Sequence, residues 1–173
     1  RGRTTGGPGG GRTREGTALA GTLAGYSGTV GSLAAVQGRH TDGRGQKVDI
    51  GMMEAGAASM QIIYPIYTMG KKLPQRIGNR YESNYPTDSF QSRDGMFVIS
   101  AANDKLWQGL CKAMGVPDVA FEERFLTNPR RVENHREIKE IIENWSKTRS
   151  NREVVDTLIE CGIPSATIND LAQ

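Results

Sequence analysis

The chain has 173 residues, is 36% hydrophobic and 24% charged, and carries a formal net charge of +3. This length fits one ordinary domain or a piece of a larger protein, with the composition of a soluble chain. Arg1, Arg3, Arg12 and Arg14 all precede the first acid, Glu15. Without them the remainder is near neutral, which excludes the concentrated basic face that nucleic-acid binding needs. No apolar run reaches the length of a membrane span; the best, "MQIIYPIYTM", is short and holds Pro65. No signal peptide is expected, because no apolar core follows the early arginines. The first residue is Arg, so a fragment is expected.

Residues 1–15 are dense in Gly and Pro and read as flexible coil. The next stretch, "GTALAGTLAGYSG", is nearly all small and uncharged. A helix is expected from about Thr22 to Gln37. Glycine costs a helix about 1 kcal/mol against Ala, so Gly25, Gly28 and Gly31 need a reason. Small residues at that spacing let another backbone or a ligand come close. Asp42-Gly43 predicts a turn, "QKVDI" a short strand, and Met52–Tyr67 a helix with Met53, Ala57, Met60 and Tyr64 on one face. Residues 70–93 are polar and irregular, the pattern of a long loop that touches a ligand or a partner.

The second half is better punctuated. "DGMFVISA" predicts a turn and a strand. "NDKLWQGLCKAMGVP" predicts a helix capped by Asn103 or Asp104, with Leu106, Trp107, Leu110, Cys111 and Met114 as its buried stripe, stopped by Gly115 and Pro117. Asn134 and Glu137 have capping-box spacing ahead of Ile138, Ile141, Ile142 and Trp145. Ser150 and Glu153 repeat it ahead of Val154, Val155 and Leu158. There is no internal repeat. Cys111 and Cys161 have neither metal-ligand nor CxxC spacing, and two buried thiols of a cytosolic protein are expected.

No reactive constellation stands out. His40 and His135 both fall in solvated surroundings, which argues against a Ser/His/Asp triad. "GGPGGG" lacks the GK[ST] ending of a phosphate loop. Asp49, Glu54, Asp88 and Asp94 suit caps, turns or ion pairs. Arg39, Arg44, Lys47, Lys71, Lys72, Arg76 and Arg80 form either a solvated rim or a seat for a phosphorylated cofactor. No metal site is expected.

From "GRGQKVDIGMMEA" onward the sequence resembles the family III CoA-transferases, the CaiB/BaiF family. The elements are Leu33-Ala34-Ala35, Arg39, Gly43-Arg44-Gly45-Gln46, Val48-Asp49-Ile50 and Glu54-Ala55. Gly78-Asn79, Pro86, Asp94-Gly95, "ANDKLWQGLCKAMGVP", "FLTNPRRVENHREI" and "GIPSATINDL" follow in the same order. The resemblance covers nearly all of residues 16–173. It implies an α/β fold: a fragment of a two-domain chain that forms interlocked homodimers. Residues 16–69 would end the large-domain segment, with its Gly-rich helix, short strand and linker helix; 70–173 would be a small α/β domain. It implies transfer of CoA from an acyl-CoA thioester to a free carboxylic acid. The thioester is a substrate, no permanently bound cofactor is expected, and the location is cytoplasmic.

In that family an aspartate attacks the thioester and forms an acyl anhydride. In register, its place falls on Gly21, which has no side chain. Thr22, Gly25, Arg44, Gly45 and Gln46 are the residues the resemblance puts near the substrate. Three readings fit Gly21: a corrupted or truncated sequence end, a non-catalytic paralogue that still binds acyl-CoA or a partner subunit, or a shifted register. Against the third, no Asp or Glu lies between Glu15 and Asp42. The related α-methylacyl-CoA racemases use an acid whose place falls at about Asn103, which resembles the transferase branch instead, with Asp104 next to it.

Overall fold

The structure is a computed structural model and describes residues 6–10 and 16–173. The remainder of the opening segment, residues 1–5 and 11–15, lies outside the described residues, with most of the expected coil and Gly11 of the "GGPGGG" run. The chain divides into two compact units, residues 1–78 and 79–173.

In the first unit, α1 spans Leu19–Asp42, longer at both ends than the sequence pattern predicts. It stops where Gly43 turns left-handed (φ 72°) and its N–H donates to the Arg39 carbonyl (2.9 Å). Arg39 and His40 in the last turn complement the helix dipole. α1 packs against the first unit's next segment through its small residues. A Cβ on Gly31 would lie 2.8 Å from Val48 Cγ1, one on Gly28 would lie 4.0 Å from Ile50 Cγ1, and one on Gly56 would lie 3.6 Å from Ala20 Cβ.

The expected strand at "QKVDI" does not form. Residues 44–50 run along the glycine face of α1 without a ladder partner among the described residues, and a lone extended segment is not a strand. The expected helix over 52–67 is split into α2 (Met52–Ala58) and α3 (Ile63–Thr68). Pro65 explains the break: it cannot donate to a carbonyl four residues back, so it is accommodated in the first turn of a new helix. The face expected to hold Met53 and Tyr64 is not buried; both side chains are exposed.

The second unit is built on a three-stranded antiparallel sheet in the order β1 (Thr87–Gln91), β2 (Met96–Ser100), β3 (Ser165–Thr167). β1 lies inside the stretch expected to be loop throughout. Its alternation, Asp88 and Phe90 against Ser89, is too mixed in polarity to signal a strand. Val98 pairs with Ser89 on one side and Ala166 on the other. Phe97 and Ile99 point into the core, while Met96, Val98 and Ser100 alternate outward.

Three helices supply much of the rest of the core: α4 (Asp104–Ala113), α6 (His135–Ser146) and α7 (Asn151–Glu160). Trp107, Leu110, Cys111, Ile138, Ile142, Val154 and Leu158 pack with Phe90, Phe97 and Ile99. The stripes read from helical spacing are therefore the buried ones, with Leu106, Ile141 and Trp145 half-buried at the margin. α4 is capped by Asn103, whose side chain accepts from the Leu106 N–H (2.9 Å). Ser150 and Glu153 form the expected capping box on α7.

Two local expectations fail. Asn134 does not cap α6, because α5 (Asn128–Glu133) runs straight into it and leaves Asn134 out of extended geometry. Its side-chain amide instead donates to the carbonyls of Arg124 (3.0 Å) and Arg130 (2.9 Å), and Glu137 pairs with Arg124. Cys111 is buried, and burial pushes its thiol up to about 12, but Cys161 is exposed at the end of α7. The surroundings of His135 also differ from expectation. It is half-buried, edge-on to the Tyr85 ring, with Nδ1 3.0 Å from the Val132 carbonyl.

Arg131 ties the second unit together. It is fully buried. Its Nε donates to the Tyr85 carbonyl (3.0 Å), Nη1 to the Phe125 carbonyl (3.1 Å) and Nη2 to Asp104 Oδ1 (2.7 Å). One planar guanidinium thus joins α5, α4 and two loops.

Candidate functional site around the start of the first helix

Gly21 is the third residue of α1 and is half-buried. The first N–H groups of a helix have no intrahelical acceptor, and Ala18 offers no side-chain cap. Donors and the positive end of the helix dipole therefore surround position 21. The next residue, Thr22, donates its N–H (3.0 Å) and its Oγ1 (3.2 Å) to the Ala18 carbonyl. One turn on, Gly25 is exposed.

The glycines of α1 fall into two kinds. A Cβ built on Gly31 would clash with Val48, so packing requires that glycine. Among the described residues, a Cβ built on Gly21 or Gly25 meets nothing within 4 Å, and neither residue has a positive φ. Neither the packing of the described residues nor the backbone conformation demands glycine at 21. Room for a side chain is present where the side chain is absent.

The expected substrate-proximal residues do not gather in one place. Thr22 and Gly25 lie beside Gly21. Arg44, Gly45 and Gln46 follow the other end of α1: the Arg44 N–H donates to Asp42 Oδ1 (3.0 Å), and Gln46 Nε2 lies 3.9 Å from where a Gly38 Cβ would stand. Seventeen residues of helix separate positions 21 and 38, or about 25 Å at 1.5 Å per residue. Lys47, from the expected basic rim, is paired with Asp49 (2.9 Å) on an exposed surface.

The neighbour that sequence reading missed is α2. Gly56 lies against Ala20, so the "EAGA" run packs beside the start of α1. Glu54 folds back over Gly51, where a Cβ would stand 1.8 Å from its Oε2. The signal was a small residue, Gly56, directly after the Glu54-Ala55 pair.

In the second unit, Asn103 and Asp104 are both engaged, Asn103 as the cap of α4 and Asp104 as the partner of Arg131. Among the described residues no cluster of His, Cys, Asp or Glu could hold a metal ion, and no helix is long and apolar enough to cross a membrane.

The family model for CoA-transferase family III matches residues 2–173. The chain belongs to CoA-transferase family III. It is 32% identical to the acetyl-CoA:oxalate CoA-transferase of Acetobacter aceti, over 98% of this chain and 44% of that one. It is 33% identical to the succinyl-CoA–L-malate CoA-transferase beta subunit of Chloroflexus aurantiacus, over 90% of this chain and 39% of that one. Among solved structures it is similar to a CaiB/BaiF family protein from Brucella suis (TM-score 0.78, 26% identity, 99% of this chain and 45% of that one). It is similar as well to Rv3272 from M. tuberculosis (TM-score 0.84, 26% identity, 98% and 45%). The chain thus spans less than half the length of these relatives. The motif order and the fold therefore agree: the chain is an α/β part of a CaiB/BaiF-type fold.

Proposed function

We propose that this chain is the part of a CoA-transferase that carries the nucleophile position, and that it binds an acyl-CoA thioester at the start of α1 without forming a covalent intermediate. The reaction served by the family position would run through a carboxylate attacking the thioester carbonyl. The carbonyl carbon gains an anhydride bond to the carboxylate oxygen, the C–S bond breaks, and CoA thiolate leaves. The acceptor carboxylate then attacks the enzyme's own acyl carbon and expels the donor's free acid, and the thiolate attacks the acceptor's acyl carbon, which forms the new thioester and frees the enzyme carboxylate. Free N–H groups at the start of α1 suit the oxyanion that develops on the way.

The observation that carries this reading is the contrast among the glycines of α1. Gly31 is fixed by packing, while a Cβ at position 21 would meet no described residue within 4 Å beyond its chain neighbours and its own helix backbone. Glycine has no atom that can form the anhydride, so no transfer is expected from residues 1–173. Acyl donors and acids such as those in the relatives' names are the substrate class, and the whole protein would be an interlocked homodimer in the cytoplasm. The division into a large-domain piece (16–69) and a small domain (70–173) belongs to the same proposal. The racemase alternative is weakened by Asp104, whose carboxylate is committed to the buried Arg131 (2.7 Å).

Equilibrium dialysis with succinyl-CoA, followed by an assay for CoA transfer to free oxalate or malate, tests the proposal. Binding without transfer is expected. Transfer by the unaltered chain would overturn the inactive reading, and absence of binding would overturn the substrate class.

A further inference from the structure

α2 is seven residues long, well short of a helix that stands alone in water. No large buried side chain anchors it: Ala55, Gly56 and Ala57 are half-buried, while Met52 and Met53 are exposed. Yet α2 is the element that meets the start of α1, through Gly56 against Ala20, the residue before Gly21. With so little apolar surface buried, the ends of α2 carry much of its stability.

Both ends are tied by side chains of α2 and its caps. At the C-terminal end, Ser59 Oγ donates to the Gly56 carbonyl (2.7 Å). At the N-terminal end the cap residue is Gly51, which has no side chain to offer. Glu54 fills that gap, its carboxylate occupying the space where a Gly51 Cβ would stand. The Gly51 backbone (φ −80°, ψ 129°) is one that any residue adopts, so glycine serves there for room and not for conformation. The first N–H groups of a helix have no intrahelical acceptor and its dipole is positive at that end, so a carboxylate seated there is stabilising.

We propose that Glu54 is a positioning residue for the start of α1. Seated over Gly51, it keeps α2 folded; α2, through Gly56 on Ala20, keeps residues 19–22 helical and the first N–H groups of α1 in place for a thioester. Neither α1 nor α2 has a fully buried residue, so both lie toward the low end of local stability. There a few-fold change in opening alters the fraction of chains competent to bind. The thioester rests on the acyl-CoA reading above; the hold of Glu54 on α1 does not.

The test uses the full 173-residue chain carrying Gly51→Ala, Glu54→Ala, both together, or Glu54→Gln. Gly51→Ala evicts the carboxylate without removing it. Amide hydrogen exchange over residues 19–25 should quicken at least threefold in Gly51→Ala and in Glu54→Ala, and the double variant should be no faster than the faster single one. Exchange at Phe97 and Leu110, in the core of the second unit, should not change. Succinyl-CoA affinity should fall at least twofold in the same two variants. Glu54→Gln, which fills the same seat, should lie closer to the unaltered chain than Glu54→Ala does. Four results would each overturn the inference: unchanged exchange at 19–25, effects that multiply in the double variant, quickened exchange with unchanged affinity, or Glu54→Gln as weak as Glu54→Ala. An unaltered chain that fails to bind succinyl-CoA would overturn the proposed function instead, and the exchange comparison would still decide the hold of Glu54.

Discussion

Residues 79–173 hold every buried hydrophobic side chain of the described chain, while α1, α2 and α3 hold none. The contrast is not one of helix quality. α1 is the longest helix and carries a regular apolar seam, Leu19, Leu23, Tyr26, Val30 and Leu33, spaced by fours and threes. Yet Tyr26, Val30 and Leu33 are about two-thirds exposed (68%, 67% and 65%). Its packed side is the glycine side, held close to Val48 and Ile50. A periodic stripe marks where a helix can bury surface; it does not say that its own unit supplies the cover. In the second unit the stripes of α4, α6 and α7 meet one another and the sheet, so periodicity and burial coincide.

The strongest way to break this contrast is to truncate one aromatic on each side of it. Phe97→Ala should cost about 3–5 kcal/mol in thermal or urea unfolding, because it empties a closed core. Tyr26→Ala should fall within about 0.5 kcal/mol. Equal losses would show that α1 is covered after all.

Arg131→Met should rank next, at about 3 kcal/mol, since it strands the carbonyls of Tyr85 and Phe125 in the interior. Asp104→Asn keeps a hydrogen-bond acceptor and should cost far less. Urea midpoints of the two variants measure the difference.

Smaller again is the cap of α7. Ser150→Ala should cost about 1 kcal/mol. The backbone N–H and the hydroxyl of Ser150 both donate to Glu153, and these bonds hold its carboxyl below the ordinary glutamate range. The folded value lies below the unfolded one, so the stabilisation is fully present above the unfolded value and is lost as pH falls through the folded one. A Glu153→Gln variant should therefore flatten that acid limb of the stability curve. An unchanged limb would place the capping interaction elsewhere.

The smallest effects sharpen the contrast inside α1. Gly21→Ala should raise helix stability by up to about 1 kcal/mol, as the site is open. Gly31→Ala should forfeit that gain against Val48. Hydrogen exchange along α1 separates the two.

Much of this was legible in the sequence, and what was not has physical causes. α4 and α7 could be read because cap, stripe and stop are all local and agree. β1 could not, since Asp88 is buried by an ion pair with Lys139, fifty-one residues on. The Asn134 cap failed because a preceding helix occupied its place. At the candidate site, motif order points to Gly21 as the proposed nucleophile position, and local spacing offered three glycines needing a reason. Only the fold separates Gly31, which packing requires, from Gly21 and Gly25, which it does not. Nor could spacing show that Gln46 and Gly21 lie near opposite ends of one helix.

The central claim is that position 21 offers room for a nucleophile whose side chain this chain lacks. The direct measurement is peptide-mapped mass spectrometry after succinyl-CoA and then hydroxylamine, on the unaltered chain and on Gly21→Asp. The account predicts no acyl hydroxamate on the unaltered chain and one at position 21 of the variant. A hydroxamate on any carboxylate of the unaltered chain, or none in a folded Gly21→Asp variant that binds succinyl-CoA, would contradict it.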